Sequence, residues 1–123
     1  MPDKEYVCAY KYCLHHGEKV KASESVVIKK KHYHWDCAAT KQEIEELRRT
    51  YFERIDKDAS FPILSKILND LVFKYDLEID YIRYALNYYA EYKVKVKSPF
   101  SLLYLRNNDY MRKRWKYSKG GDA

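Results

Sequence analysis

All three cysteines and all four histidines of this 123-residue chain lie before residue 38. Cys8 and Cys13 form a C-x4-C pair, and twenty residues later His34 and Cys37 form H-x2-C. Zinc takes four soft or borderline donors in a tetrahedron, and two close pairs joined by a loop of this length can supply them. An odd number of cysteines excludes a fully paired disulfide framework. Reduced thiols or a metal site fit better, and both point to a reducing, cytoplasmic compartment. His15, His16 and His32 are rival ligands. His34 is preferred because its spacing to Cys37 lets both side chains reach one ion.

The segment around these residues has little else to hold it together. Gly17-Glu18 reads as a turn, and Ser25-Val26-Val27-Ile28 as a strand, with Lys29 to His34 as a second edge. A hairpin-like unit this small has too few apolar residues to be stable alone. A metal staple would turn binding energy into folding energy. The second ligand pair straddles a helix start, where the helix dipole favours a thiolate at Cys37.

Cys8-x4-Cys13 followed by Lys31-His32-Tyr33-His34-Trp35-Asp36-Cys37 resembles the first half of a LIM finger or a PARP-type finger. Those fingers have two cysteines, a β loop of about twenty residues and an aromatic just before H-x2-C. The likeness covers about 30 residues. It departs from the LIM pattern in the four residues between the first cysteines and in having no second finger. Similar single fingers occur in small proteins of bacteriophages of Gram-positive hosts. The resemblance implies a structural Zn2+ and an interaction module, acting in the host cytoplasm if the chain is phage-derived.

From residue 38 the pattern is helical. Ile44, Leu47, Tyr51 and Ile55 recur at steps of three and four, with Thr40 and Glu43 as a capping box and Asp36 as a rival cap for a longer helix. Ser60 and Pro62 open a second helix carrying Leu64, Ile67, Leu68, Leu71, Val72 and Tyr75. A third runs from about Glu78 to Tyr92 with Ile79, Ile82, Leu86, Tyr89 and Ala90 on one face. Its tyrosines Tyr81, Tyr84, Tyr88 and Tyr92 lie on another side. They are read as a second buried face, with an exposed partner-binding stripe as the alternative. Residues 93–97 alternate like an exposed strand or linker. Ser98-Pro99 starts a short helix through Arg106, and Tyr110–Tyr117 forms a last basic turn or two. Phe100, Leu103 and Tyr104 are candidates to pack back on the core. The Ser98-Pro99-Phe100 start also loosely resembles a segment of phage and bacterial replication-initiation proteins.

The expected fold is therefore α+β, mainly α. A zinc-finger-like β unit at 1–38 precedes four to five helices at 39–117, and 118–123 is expected to fray. Leu, Ile, Val and Phe total only 28 residues, so the fourteen tyrosines must complete the core.

Charge is uneven. Residues 1–40 carry a net +2, 41–92 a net −3 and 93–123 a net +7. The last segment places Lys93, Lys95, Lys97, Arg106, Arg112, Lys113, Arg114 and Lys116 among Tyr104, Tyr110, Trp115 and Tyr117. Cations neutralise phosphates and aromatic rings stack on exposed bases. These eight cations and Trp115 are the candidate surface for nucleic acid or a nucleic-acid–protein complex. The alternative is an inhibitor or adaptor that grips a host machine, such as a polymerase or, as an anti-CRISPR would, a defence nuclease. No apolar run reaches the ~18 residues of a membrane span, and the polar N-terminus does not read as a secretory signal. No H-E-x-x-H motif, phosphate loop or nucleophile elbow is present, so a non-enzymatic role is expected.

Overall fold

The computed structural model describes residues 3–119. The chain divides into two compact units, Met1–Glu43 and Ile44–Ala123. Among the described residues the elements are a small two-hairpin β region followed by helices, an α+β arrangement that is mainly α.

In the first unit β1 (Glu5–Val7) pairs antiparallel with β2 (Lys19–Lys21), and β3 (Ser25–Ile28) with β4 (Lys31–His34). Only the second hairpin follows from the β-rich run. Lys29 and Lys30 do not extend β4. They form the two-residue turn between Ile28 and Lys31, both at positive φ (49° and 66°). That is the hairpin geometry usually supplied by Asn-Gly, so a Lys-Lys pair carries no sequence signal for it. The Ala9 N–H donates to the His32 carbonyl at 2.9 Å and ties the end of β1 to β4. The buried cluster of this unit is Cys8, Tyr33, Cys37 and Ala38, with Tyr10, Cys13, Val26 and Ile28 packed against it.

Helix α1 (Trp35–Arg54) starts at Trp35 rather than near residue 38. Thr40 and Glu43 are therefore interior and form no capping box. Asp36 lies in the first turn, where its Oδ1 accepts from the Cys37 N–H at 2.9 Å. The first unit extends to Glu43, beyond residue 38.

In the second unit the helices predicted from Ser60 and from Glu78 are present. In α2 (Phe61–Asn69) the Ser60 Oγ accepts from the Ile63 N–H, and Pro62 sits in the first turn. A π turn, Asp70–Lys74, continues it. Helix α3 covers Ile79–Glu91. Residues 93–97 form no strand; Lys93 is left-handed (φ 51°) and the Val94 N–H closes on the Tyr89 carbonyl.

Pro99–Asn107 is a 3-10 helix of nine residues. Its three-residue period puts Pro99, Leu102 and Leu105 on one buried face. The same period turns Phe100 and Tyr104 outward, correcting the expectation that they pack on the core. The Asn108 side chain accepts from the Met111 N–H and starts α4 (Asp109–Ser118). Ser118 is thus helical, and the Lys119 ammonium lies 4.4 Å from the Trp115 ring centroid, so these two residues are not a frayed tail. Residues 120–123 lie outside the described residues.

The core of this unit joins Ile44, Leu47 and Tyr51 of α1 to Leu64, Ile67, Leu68 and Leu71, to Tyr81, Ile82, Ala85 and Leu86, and to Leu102, Leu105, Met111 and Trp115. Of the tyrosine face of α3, Tyr81 is fully buried and donates its O–H to the Leu105 carbonyl at 2.9 Å. Tyr84 and Tyr88 are half-buried and Tyr92 is exposed. The face is graded, neither a second buried side nor a stripe.

Candidate metal centre and basic surface

Four elements converge at one point of the first unit. Cys8 follows β1, Cys13 sits on the next turn, His34 ends β4 and Cys37 lies in the first turn of α1. Their donor atoms all lie within 4.8 Å of one another. The Cys13 Sγ is 3.5 Å from His34 Nδ1, and the Cys37 Sγ is 3.8 Å from His34 Nδ1 and 3.9 Å from the Cys13 Sγ. Cys8 and Cys37 are buried, and Cys13 and His34 half-buried. All three cysteines are unbridged. Three sulfurs and one imidazole nitrogen at these separations can hold a metal ion.

The rival histidines have other work. The His32 ring stacks on Tyr6, centroids 3.7 Å apart and 4° from parallel, and its Nδ1 bonds the Ser25 hydroxyl at 2.8 Å. The His15 Nε2 meets both Asp36 carboxylate oxygens, at 2.8 and 2.9 Å. His16 is exposed and left-handed (φ 54°), beside Gly17 at φ 85°. His15, Asp36 and Cys37 form a second close group. It shares Cys37 with the first, and its other two members already bond each other. Hydrogen bonding to Asp36 raises the His15 pKa, and the same contact lowers that of Asp36. Asp36 thus braces both the His15 turn and the start of α1. The twenty-one-residue separation of this pair left no local signal.

The chain matches no family model, and no curated protein or solved structure is significantly similar to it.

The thiols differ in environment. Burial pushes Cys37 up to about 12, against the N–H of Leu14, which donates to its sulfur at 3.3 Å. Burial thus works against the thiolate that a helix start favours at Cys37. Burial also raises Cys13, but hydrogen bonds from the Gly17 and His15 backbone and from the Cys37 and Cys8 side chains together outweigh it and leave that thiol lowered. A bound cation is what would make a buried thiolate at Cys37 favourable.

The basic residues of the second unit separate into groups. Lys95 and Lys97 line a groove of about 450 Å³ with Tyr89 and Tyr104. Lys97 and Arg106 line another beside Phe100 and Tyr104. Lys113 and Arg114 line a third, which shares no residue with the other two. Lys116 is exposed and Arg112 stacks over the Tyr81 ring at 5.0 Å. Lys93 caps the end of α3 away from the extended row that alternation predicted. Trp115 leaves the set altogether. It is 7% exposed and packs on Tyr81 with ring centroids 5.4 Å apart, so it is a core residue. Its i,i+4 spacing from Met111 was the available signal. Among the described residues, no helix is long and apolar enough to cross a membrane.

Proposed function

We propose that the first unit is a structural zinc finger and that the second unit binds nucleic acid, making the protein a non-enzymatic accessory factor. For zinc, bonds of about 2.3 Å to sulfur and about 2.0–2.1 Å to nitrogen imply sulfur–sulfur edges of about 3.8 Å and sulfur–nitrogen edges of about 3.5–3.6 Å. The sulfur–sulfur separation of 3.9 Å and the sulfur–nitrogen separations of 3.5 and 3.8 Å lie close to these edges, and the Cys8 sulfur is within 4.8 Å of the other three donors. Four protein donors complete the tetrahedron and leave no open position for substrate, which favours a structural over a catalytic ion.

The observation that carries the nucleic-acid reading is the state of the C-terminal cations. None of Lys93, Lys95, Lys97, Arg106, Arg112, Lys113, Arg114 and Lys116 forms an ion pair with a carboxylate among the described residues. They share the surface with exposed Tyr104, Tyr110 and Tyr117. Unpaired cations beside open rings suit phosphates and bases. Fluorescence anisotropy with a labelled oligonucleotide across a salt series tests this. Affinity should fall steeply and linearly on logarithmic axes as salt rises. No binding at low salt, or affinity indifferent to salt, contradicts it. A protein retained stoichiometrically from nuclease-treated bacterial lysate, with no oligonucleotide binding, would transfer the reading to the inhibitor or adaptor class.

A further inference from the structure

The strongest feature outside the metal centre is the groove between α3 and α4. Its volume is about 620 Å³, within the usual range of ligand sites. Tyr84 comes from α3; Tyr110, Lys113, Arg114, Tyr117 and Ser118 come from α4. On α4 the steps from Tyr110 to Lys113, Arg114 and Tyr117 are three, four and seven residues, so these side chains share one helix face.

Arg114 is held in place by rings instead of by a carboxylate. Its guanidinium lies 5.1 Å from the Tyr88 centroid and 5.6 Å from that of Tyr110, and its Nη1 donates to the Tyr110 hydroxyl at 3.3 Å. Its Nε is buried and has no hydrogen-bond partner among the described residues. The buried Nε cannot reach a ligand, but a planar cation fixed in this way and lining the groove suits a phosphate at its Nη groups. Lys113 is exposed beside it. Tyr117 is 74% exposed and stands open next to the cations, whereas the Tyr110 ring is already met by Arg114.

We propose that this groove is a single-strand site, in which an unstacked base lies against Tyr117 while the adjoining phosphate meets Arg114 and Lys113. The proposal rests on the nucleic-acid reading above and narrows it to single strands and to one groove. In a duplex the base faces are already stacked, and only a single strand offers them to an exposed tyrosine. Every base has such a face, so the site reads strandedness and not sequence.

The test uses the full chain in its metal-loaded form, with fluorescein-labelled oligo(dT), a mixed-sequence single strand of DNA and of RNA, and the matching duplex, at low salt. Single strands of both sequences should bind more tightly than the duplex. Tyr117→Leu should weaken single-strand binding roughly 5- to 150-fold, the range of one lost stacking contact, and leave duplex binding unchanged. Lys113→Gln should weaken both and reduce the salt slope by about one. Both side chains are exposed, so an unchanged thermal melt confirms that each variant is folded. Equal affinity for duplex and single strand, or a folded Tyr117→Leu variant with undiminished single-strand binding, overturns the groove while leaving the basic surface standing. No binding by the unmodified chain at low salt overturns both.

Discussion

The two units bury very different things. The interior of the first is Cys8, Tyr33, Cys37 and Ala38, and two of those four are candidate metal ligands. The interior of the second is a continuous aliphatic and aromatic cluster drawn from α1 to α4. A fully buried Leu, Ile or Val contributes roughly 1.5–3 kcal/mol by leaving water. The helical unit has many such residues, and the β unit has only Val20 at that level of burial. One half of the chain is thus held by apolar burial. The other gathers a cage of candidate metal ligands, with Cys37 supplied from the start of α1.

The largest expected effect breaks the first unit alone. Cys37→Ser should abolish stoichiometric metal binding and unfold residues 5–34, while most of the helical circular dichroism persists. Metal analysis together with dichroism checks this; a variant that keeps its metal and its thiol protection contradicts the cage. Leu68→Ala should do the reverse. Leu68 is fully buried, and the truncation should cost the helical unit about 2–5 kcal/mol in chemical denaturation with metal content unchanged.

Two tyrosines sharpen the account of the helical core. Tyr81→Phe removes the O–H that bonds the Leu105 carbonyl and should cost about 1 kcal/mol. Tyr51 is equally buried, but its hydroxyl has no hydrogen-bond partner among the described residues. Tyr51→Phe should therefore be neutral or stabilising, by up to about 1–3 kcal/mol if the whole desolvation cost is recovered. Equal losses at both positions would contradict the contrast.

The smallest effects are at the extremes of pH, and the units should fail at opposite ends. Burial raises Tyr51 to about 12 and also raises Tyr81 and Tyr89. A phenol that ionises later in the folded state stabilises the fold below its unfolded value near 10. That contribution is lost as pH climbs from about 10 towards 12, so the helical unit should weaken there. The finger should weaken on the acid side, because protons compete with metal for its ligands. Dichroism and metal release, followed together through a pH titration, check the order.

Most of the metal centre was legible because ligation needs specific atoms at specific spacings. The H-x2-C step picked His34 out of four histidines, and the structure gives His15 and His32 other partners. The apolar steps of Leu64, Ile67, Leu68 and Leu71 likewise carried the helical core. What was hidden depends on contacts distant in sequence or on backbone geometry without its usual residues. The turn at Lys29-Lys30 uses positive φ without Asn or Gly. The His15–Asp36 pair is joined only by the fold. The period of three in Pro99, Leu102 and Leu105 is present in the sequence, but in so short a run it does not separate a 3-10 helix from an α-helix. Trp115 looked like a surface ring because its neighbours Arg114 and Lys116 are charged.

The most direct test of the central claim is an amide ¹H–¹⁵N correlation spectrum of the full chain before and after metal removal by a strong chelator under reducing conditions. Collapse of the signals of residues 5–37 into the narrow unfolded range is predicted, with those of 55–117 staying dispersed and zinc restoring the first set at one equivalent. Signals of residues 5–37 that stay dispersed and unshifted after complete metal removal would contradict it.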